Sequence, residues 1–91
     1  MYKITEYSKT QAKKLGVEIR PSANKTKKID VYKNNKKIAS IGAIGFMDYP
    51  SFMKKNGIKH AKSRRKLYKI RHENDRKVKG TAGYYADKIL W

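Results

Sequence analysis

The firmest periodicity in the chain lies in KKIDVYKNNKKIASIGA, residues 27–43, where apolar and polar positions alternate on both sides of Asn34-Asn35. Both asparagines tolerate positive φ, as a two-residue type I′ turn requires. The pattern predicts a β-hairpin of about 28–33 with 36–42. A plain two-residue turn sets Val31 opposite Ile38 and Ile29 opposite Ser40. Ile29, Val31 and Ile38 then share one face, and Asp30, Tyr32, Lys37 and Ala39 the other. Upstream, Val17-Glu18-Ile19 alternates and is stopped by Pro21, which predicts a short strand. The polar, basic stretch 20–28 reads as a loop. MYKITEY alternates weakly and fits a short strand or an extended arm anchored by Tyr2, Ile4 and Tyr7. Ser8 as N-cap and Gly16 as a left-handed C′ residue bracket a short helix over about 9–15.

Beyond the hairpin, GAIGFMDYP is expected to leave the sheet in a tight corner with its apolar side chains in the core. Asp48 is a candidate N-cap, with Pro50 in the first turn where a missing N–H costs little. Tyr49, Phe52 and Met53 face inward in this reading, and Asn56-Gly57 ends the helix. Ile58 to about His72 reads as the main helix. Ile58, Ala61, Arg65 and Tyr68, joined by Leu67 and Ile70, form a narrow stripe able to dock on the sheet. After the acid cluster Glu73-Asn74-Asp75, Thr81 caps a final segment rich in aromatic and aliphatic side chains: Tyr84, Tyr85, Ile89, Leu90 and Trp91. The expected fold is α+β: a small single domain, residues 1–91, with a hairpin-centred antiparallel sheet, a basic main helix and an aromatic C-terminal clasp. The clasp either closes the domain's own core or inserts into a neighbour.

Charge changes the picture most. Twenty-four Lys and Arg face seven Asp and Glu, a formal +17 on 91 residues. That far exceeds the magnitude of about 2–8 adequate for solubility in a small domain, so the chain is expected to meet a negative partner. The main helix concentrates the argument: Lys59, Lys62, Arg64, Arg65, Lys66, Lys69 and Arg71 lie on it without one acid, and Arg76 follows. Like charges at i,i+4 disfavour a helix, and a solvated face normally interleaves both signs. These eight residues are the candidate contacts for nucleic acid or an acidic protein surface.

Other chemistry is thin. With no Cys there is no disulfide and no thiolate for zinc. His60 and His72 lack carboxylate partners at metal-ligand spacing, so neither a metal nor another cofactor is expected. Glu73 and Asp75 are the only acids close in sequence, a weak match to a nuclease metal site. No serine has the companions of a triad, so no catalytic residue is assigned. No apolar run approaches the length of a membrane span, and the first residues lack the apolar stretch of a signal peptide.

The second half resembles a known group. IGAIGFMDY, then SRRKLYKIRHENDR, then TAGYYADKILW is similar to a family of small basic proteins of large double-stranded DNA viruses. That family carries a glycine–aromatic segment with Asp-Tyr, an Arg-rich helix with Tyr followed by Arg-His, and a Thr-x-Gly…Leu-Trp ending. The matching positions include Gly42, Phe46, Asp48, Arg64, Tyr68, Arg71, His72, Thr81, Gly83, Leu90 and Trp91, and the likeness spans about residues 41–91. PSFMKKNGIKHAK stands where members have a short His-rich link. The resemblance implies a virion setting, synthesis in the host cytoplasm or nucleus, membership of a larger assembly and no enzymatic activity. Two uses follow. One is a minor capsid or capsid-associated protein that meets acidic capsid surfaces with its charge and anchors to neighbours through Tyr84, Tyr85, Leu90 and Trp91. That is the leading expectation, and the alternative is non-specific binding or condensation of the genome through the basic helix.

Overall fold

The computed structural model describes residues 2–91. Four helices and three strands follow in the order α1 (Glu6–Leu15), β1 (Glu18–Pro21), β2 (Lys27–Lys33), β3 (Lys36–Ala43), α2 (Tyr49–Asn56), α3 (Ile58–Arg71) and α4 (Ala82–Ile89). The sheet is antiparallel in the order β1-β2-β3, and the architecture is α+β.

The hairpin forms where the alternation places it, and Asn34 and Asn35 take φ of 53° and 64°. Its register differs from the plain two-residue expectation. Lys33 pairs with Lys36 and Tyr32 with Lys37, but a bulge then sets Val31 opposite Ala39 and Ile29 opposite Ile41. One extra residue in β3 at Ile38 brings Ile41 into the core, where it is 1% exposed. On the opposite face, Asp30 and Ser40 become cross-strand partners at 2.7 Å.

That face also orders the stretch expected as a basic loop. The buried Asp30 carboxylate accepts from Ser22 Oγ at 2.7 Å and from the Ala23 N–H at 3.4 Å. Burial alone would raise the Asp30 pKa. The hydroxyls of Ser22 and Ser40, the Ala23 N–H and nearby Lys37 outweigh burial and hold it below the ordinary carboxylate value.

α1 begins earlier than expected. Thr5, not Ser8, is its N-cap, accepting from the Ser8 N–H at 3.2 Å. Ser8 is instead fully buried, and its hydroxyl donates to the Ile89 carbonyl at 2.9 Å, joining α1 to α4. Gly16 closes α1 with φ 72° and sends its N–H back to Ala12 and Lys13. The core gathers Ile29, Val31 and Ile41 from the sheet, Ala12 from α1, and Tyr85, Ile89 and Leu90 from the clasp.

Because α1 and α4 fill this space, α3 does not dock on the sheet as its stripe predicts. It packs chiefly on α2, across Gly57. Only Ala61 and Tyr68 of α3 are buried, while Ile58, Leu67 and Ile70 are exposed. The glycine–aromatic corner is corrected as well. Ile44 is exposed, and Phe46 is 73% exposed.

Candidate functional site

The surface charge is set by how the acids are used. Among the described residues every one of the seven carboxylates is engaged within the fold. Glu6 meets Lys9, Glu18 meets Arg20, Asp48 meets Lys28, and Asp75 meets the His72 ring. Glu73 holds Arg76 and Lys77, and these two cations keep its pKa below the ordinary value. Asp87 is bound by Lys69 at 2.6 Å, with Lys88 at 3.8 Å and Arg76 at 3.9 Å, and Asp30 is satisfied by hydrogen bonds. Seven of the twenty-four Lys and Arg are thereby paired, and the other seventeen have no ion-pair partner among the described residues.

The eight cations singled out by the sequence divide by geometry. Lys59, Lys62, Lys66 and Arg71 are exposed and outside any ion pair of the described residues. Helical spacing puts Lys59, Ser63, Lys66 and Ile70 on the side opposite the buried Ala61 and Tyr68, with Lys62 and Leu67 flanking. Arg65 and Arg64 lie over rings, at 4.2 Å from the Tyr49 centroid and 5.2 Å from that of Phe52. Lys69 and Arg76 have structural work instead. Both are drawn to the buried Asp87 of α4, and Arg76 Nε also donates to the Lys69 carbonyl.

The four clasp residues expected to anchor neighbours are mostly used internally. Tyr85 is 8% and Leu90 1% exposed, so neither has surface to offer a partner. Trp91 stacks on Tyr68 with centroids 4.4 Å apart and planes 8° from parallel. Half-buried Tyr84 packs edge-on to Tyr85. The clasp closes this chain's own core because α4 supplies the apolar cover that the sheet lacks.

Two clefts open beside Phe46. The first, about 780 Å³, runs between loops 22–27 and 44–47 and is walled by Tyr2, Ile44, Phe46 and Met47, with Lys25 and Lys27 in its lining. The second, about 570 Å³, is walled by Phe46, Phe52, Tyr68 and Trp91, with Arg64, Arg71 and His72. Here residues from three separate segments, 42–52, 64–72 and 86–91, come together with Lys28. Beneath Phe46 lies a buried polar cluster. Lys28 Nζ contacts Asp48 Oδ2 at 3.0 Å and donates to the Phe46 carbonyl, and Tyr2 OH donates to Asp48 Oδ2 at 2.8 Å. Burial pushes the Tyr2 hydroxyl pKa upward, and the Asp48 charge pushes it further. Tyr68 is pushed up to about 12, first by burial and then by Asp87 and Asp75. Both phenols therefore stay neutral, as hydrogen-bonding and stacking groups.

Asp48 gives a pH prediction. Burial alone would raise its pKa, but the Ser51 N–H, Lys28 and Tyr2 lower it below the ordinary value. A depressed carboxylate stabilises the fold above its unfolded pKa of about 3.9 and loses that contribution as pH falls through the folded value. The urea midpoint is expected to hold from neutrality to about pH 5 and to drop below about pH 4. Asp48→Asn should flatten that acid limb, and an unchanged limb would assign it to other groups.

Sequence reasoning missed Phe46 because an aromatic residue in an apolar run reads as core. The available signal was the pair of glycines that precede it: Gly42 and Gly45 take φ of 77° and 93°, which turns the segment outward. Among the described residues no group of three or more His, Asp or Glu could hold a metal ion, and no helix is long and apolar enough to cross a membrane. No protein-family model, no curated protein and no solved structure matches this chain.

Proposed function

We propose that the protein is a non-enzymatic, virion-associated nucleic-acid-binding protein that contacts the backbone of the genome with little sequence preference. The observation that carries this reading is that all seven carboxylates are engaged within the fold, while seventeen Lys and Arg have no ion-pair partner among the described residues. Lys59, Lys62 and Lys66 on α3 form the centre of the contact. Long, flexible ammonium groups suit backbone neutralisation rather than base reading. The virion setting, with synthesis in the host cell, rests on the resemblance of residues 41–91.

A second reading, a capsid-associated role against acidic protein surfaces, is supported by Leu67 and Ile70. Both are exposed beside the α3 lysines, at 54% and 64%, and a phosphate backbone has no use for them. The burial of Tyr85 and Leu90 removes much of the anchoring that this reading relied on.

Binding to mixed-sequence duplex DNA, titrated with salt, separates the two. Genome binding predicts a log–log slope of about −5 or steeper, since each neutralised phosphate contributes about −0.9. Replacing Lys59, Lys62 and Lys66 together by Gln should make the slope shallower by about 3. Binding that vanishes at physiological salt would overturn the nucleic-acid reading and direct the charge to a protein surface.

A further inference from the structure

We infer that Phe46 is the stacking platform of a site for single-stranded nucleic acid. One base lies on its ring, and the adjoining phosphates reach Lys25 and Lys27 on one side and Arg64 and Arg71 on the other. This rests on the nucleic-acid reading and adds to it a strand preference and a second contact surface, distinct from the lysine face of α3.

The first support is position. Phe46 is the most exposed large apolar side chain among those described, at 73%, and it is a wall of both clefts. Apart from the paired Lys28, the Lys and Arg that line each cleft have no ion-pair partner among the described residues. Among the described residues no side-chain carboxylate lines the first cleft. The one in the second, Asp48, is buried and already held by Lys28, Tyr2 and the Ser51 N–H, so it does not repel an incoming phosphate. A cation–ring–cation surface matches the phosphate–base–phosphate repeat of a single strand.

The second support is rigidity. The Phe46 carbonyl accepts from the buried Lys28 ammonium, and the Phe46 N–H donates to the Ala43 carbonyl at 3.3 Å. The backbone under the ring is tied down while the ring stays open, as a stacking platform requires. Arg64 is similarly placed in advance by the Phe52 ring at 5.2 Å. Guanidinium groups bind phosphate bidentately, which an ammonium cannot do.

The third support is what a duplex cannot use. Paired bases are already stacked on one another, so an isolated exposed ring gains nothing from them, whereas an unpaired base has a free face. Stacking on an aromatic side chain tolerates any base, in keeping with a chain that shows no base-reading motif.

Trp91 is the only tryptophan and lines the second cleft, so its fluorescence reports occupancy. The full chain would be titrated with a short oligothymidine strand and, separately, with a mixed-sequence duplex of the same length. The strand is expected to quench Trp91. Phe46→Ala should weaken strand binding roughly 5- to 150-fold, the range measured for loss of one stacked base, and leave duplex binding unchanged. Phe46→Tyr should restore the strand. Because Phe46 is exposed, Phe46→Ala should keep the parent's thermal midpoint, and the pair Lys25→Glu/Lys27→Glu gives an independent loss. If Phe46→Ala binds the strand as the parent does while duplex binding stays tight, the platform is refuted and the general reading stands. If neither nucleic acid binds, both fall. If a polyglutamate peptide competes with the strand and shows the same Phe46 dependence, the site belongs to an acidic protein segment and the inference is overturned.

Discussion

Lys28→Met is expected to lower the unfolding free energy by about 3–5 kcal/mol, the usual effect of removing one partner of a buried ion pair. Lys28 is 5% and Asp48 1% exposed, and their charged atoms stand 3.0 Å apart. Without the ammonium, the Asp48 carboxylate stays buried with only the Tyr2 hydroxyl and the Ser51 N–H as donors. The Phe46 carbonyl also loses its donor. At roughly 4–8 °C per kcal/mol for a domain of this size, the thermal midpoint should fall by at least about 12 °C. Since small domains hold only about 5–15 kcal/mol in all, the variant sits near the edge of folding. Adding Asp48→Asn should recover most of the loss: the uncompensated charge goes, and asparagine is as good an N-cap for α2 as aspartate. Urea unfolding of the parent, the single variant and the double variant decides. A loss under about 1 kcal/mol for Lys28→Met would mean the pair behaves like an exposed one, and the platform beneath Phe46 would then be far less rigid than described.

This buried pair also shows where the sequence stopped being legible. Local chemistry was readable. Asn34-Asn35 specify their turn through their own backbone preference, Asp48 caps α2 through a side chain three residues from the N–H it accepts, and Gly57 separates α2 from α3 at φ 88°. The α+β class follows from these signals. Long-range partners were not readable, because nothing local distinguishes them. Lys28 sits in a run of lysines, yet it alone turns inward, to an acid twenty residues away. Lys69 looks like its neighbours on α3, but Asp87 takes it from the surface. The bulge that sets the hairpin register is driven by the burial of Ile41 and not by the turn. At the candidate site the free lysines of α3 were legible from charge patterning alone, whereas only tertiary contacts show that Arg76 is drawn to Asp87 and that Tyr85 and Leu90 close the core rather than meet a neighbour. Phe46 made the opposite journey, since two glycines override the hydrophobicity of its side chain.

Gly42→Ala should destabilise the fold by about 2–5 kcal/mol, and the cause can be separated into two parts. Gly42 has φ +77°, where an L-residue carries about 1–2 kcal/mol of strain. An added Cβ would also lie 2.7 Å from Leu90 Cδ1 and 3.0 Å from Lys28 Cδ, an overpacking that costs typically about 1–3 kcal/mol. Leu90→Ala alone should cost about 2–5 kcal/mol, because its side chain is 1% exposed and leaves a cavity. The combination is the informative variant. Removing Leu90 Cδ1 relieves the clash, and the methyl at position 42 fills part of the cavity, so the double variant should lose less than the two single losses together. The expected coupling is about 1–3 kcal/mol, while the left-handed strain remains. Strict additivity in urea unfolding would show that backbone conformation alone requires glycine here. Coupling would show that the close approach of the clasp to β3 requires it. A side chain at position 42 would meet both the residue that closes the core and the lysine that holds Phe46 in place, so the packing that stabilises the fold also sets the position of the exposed ring.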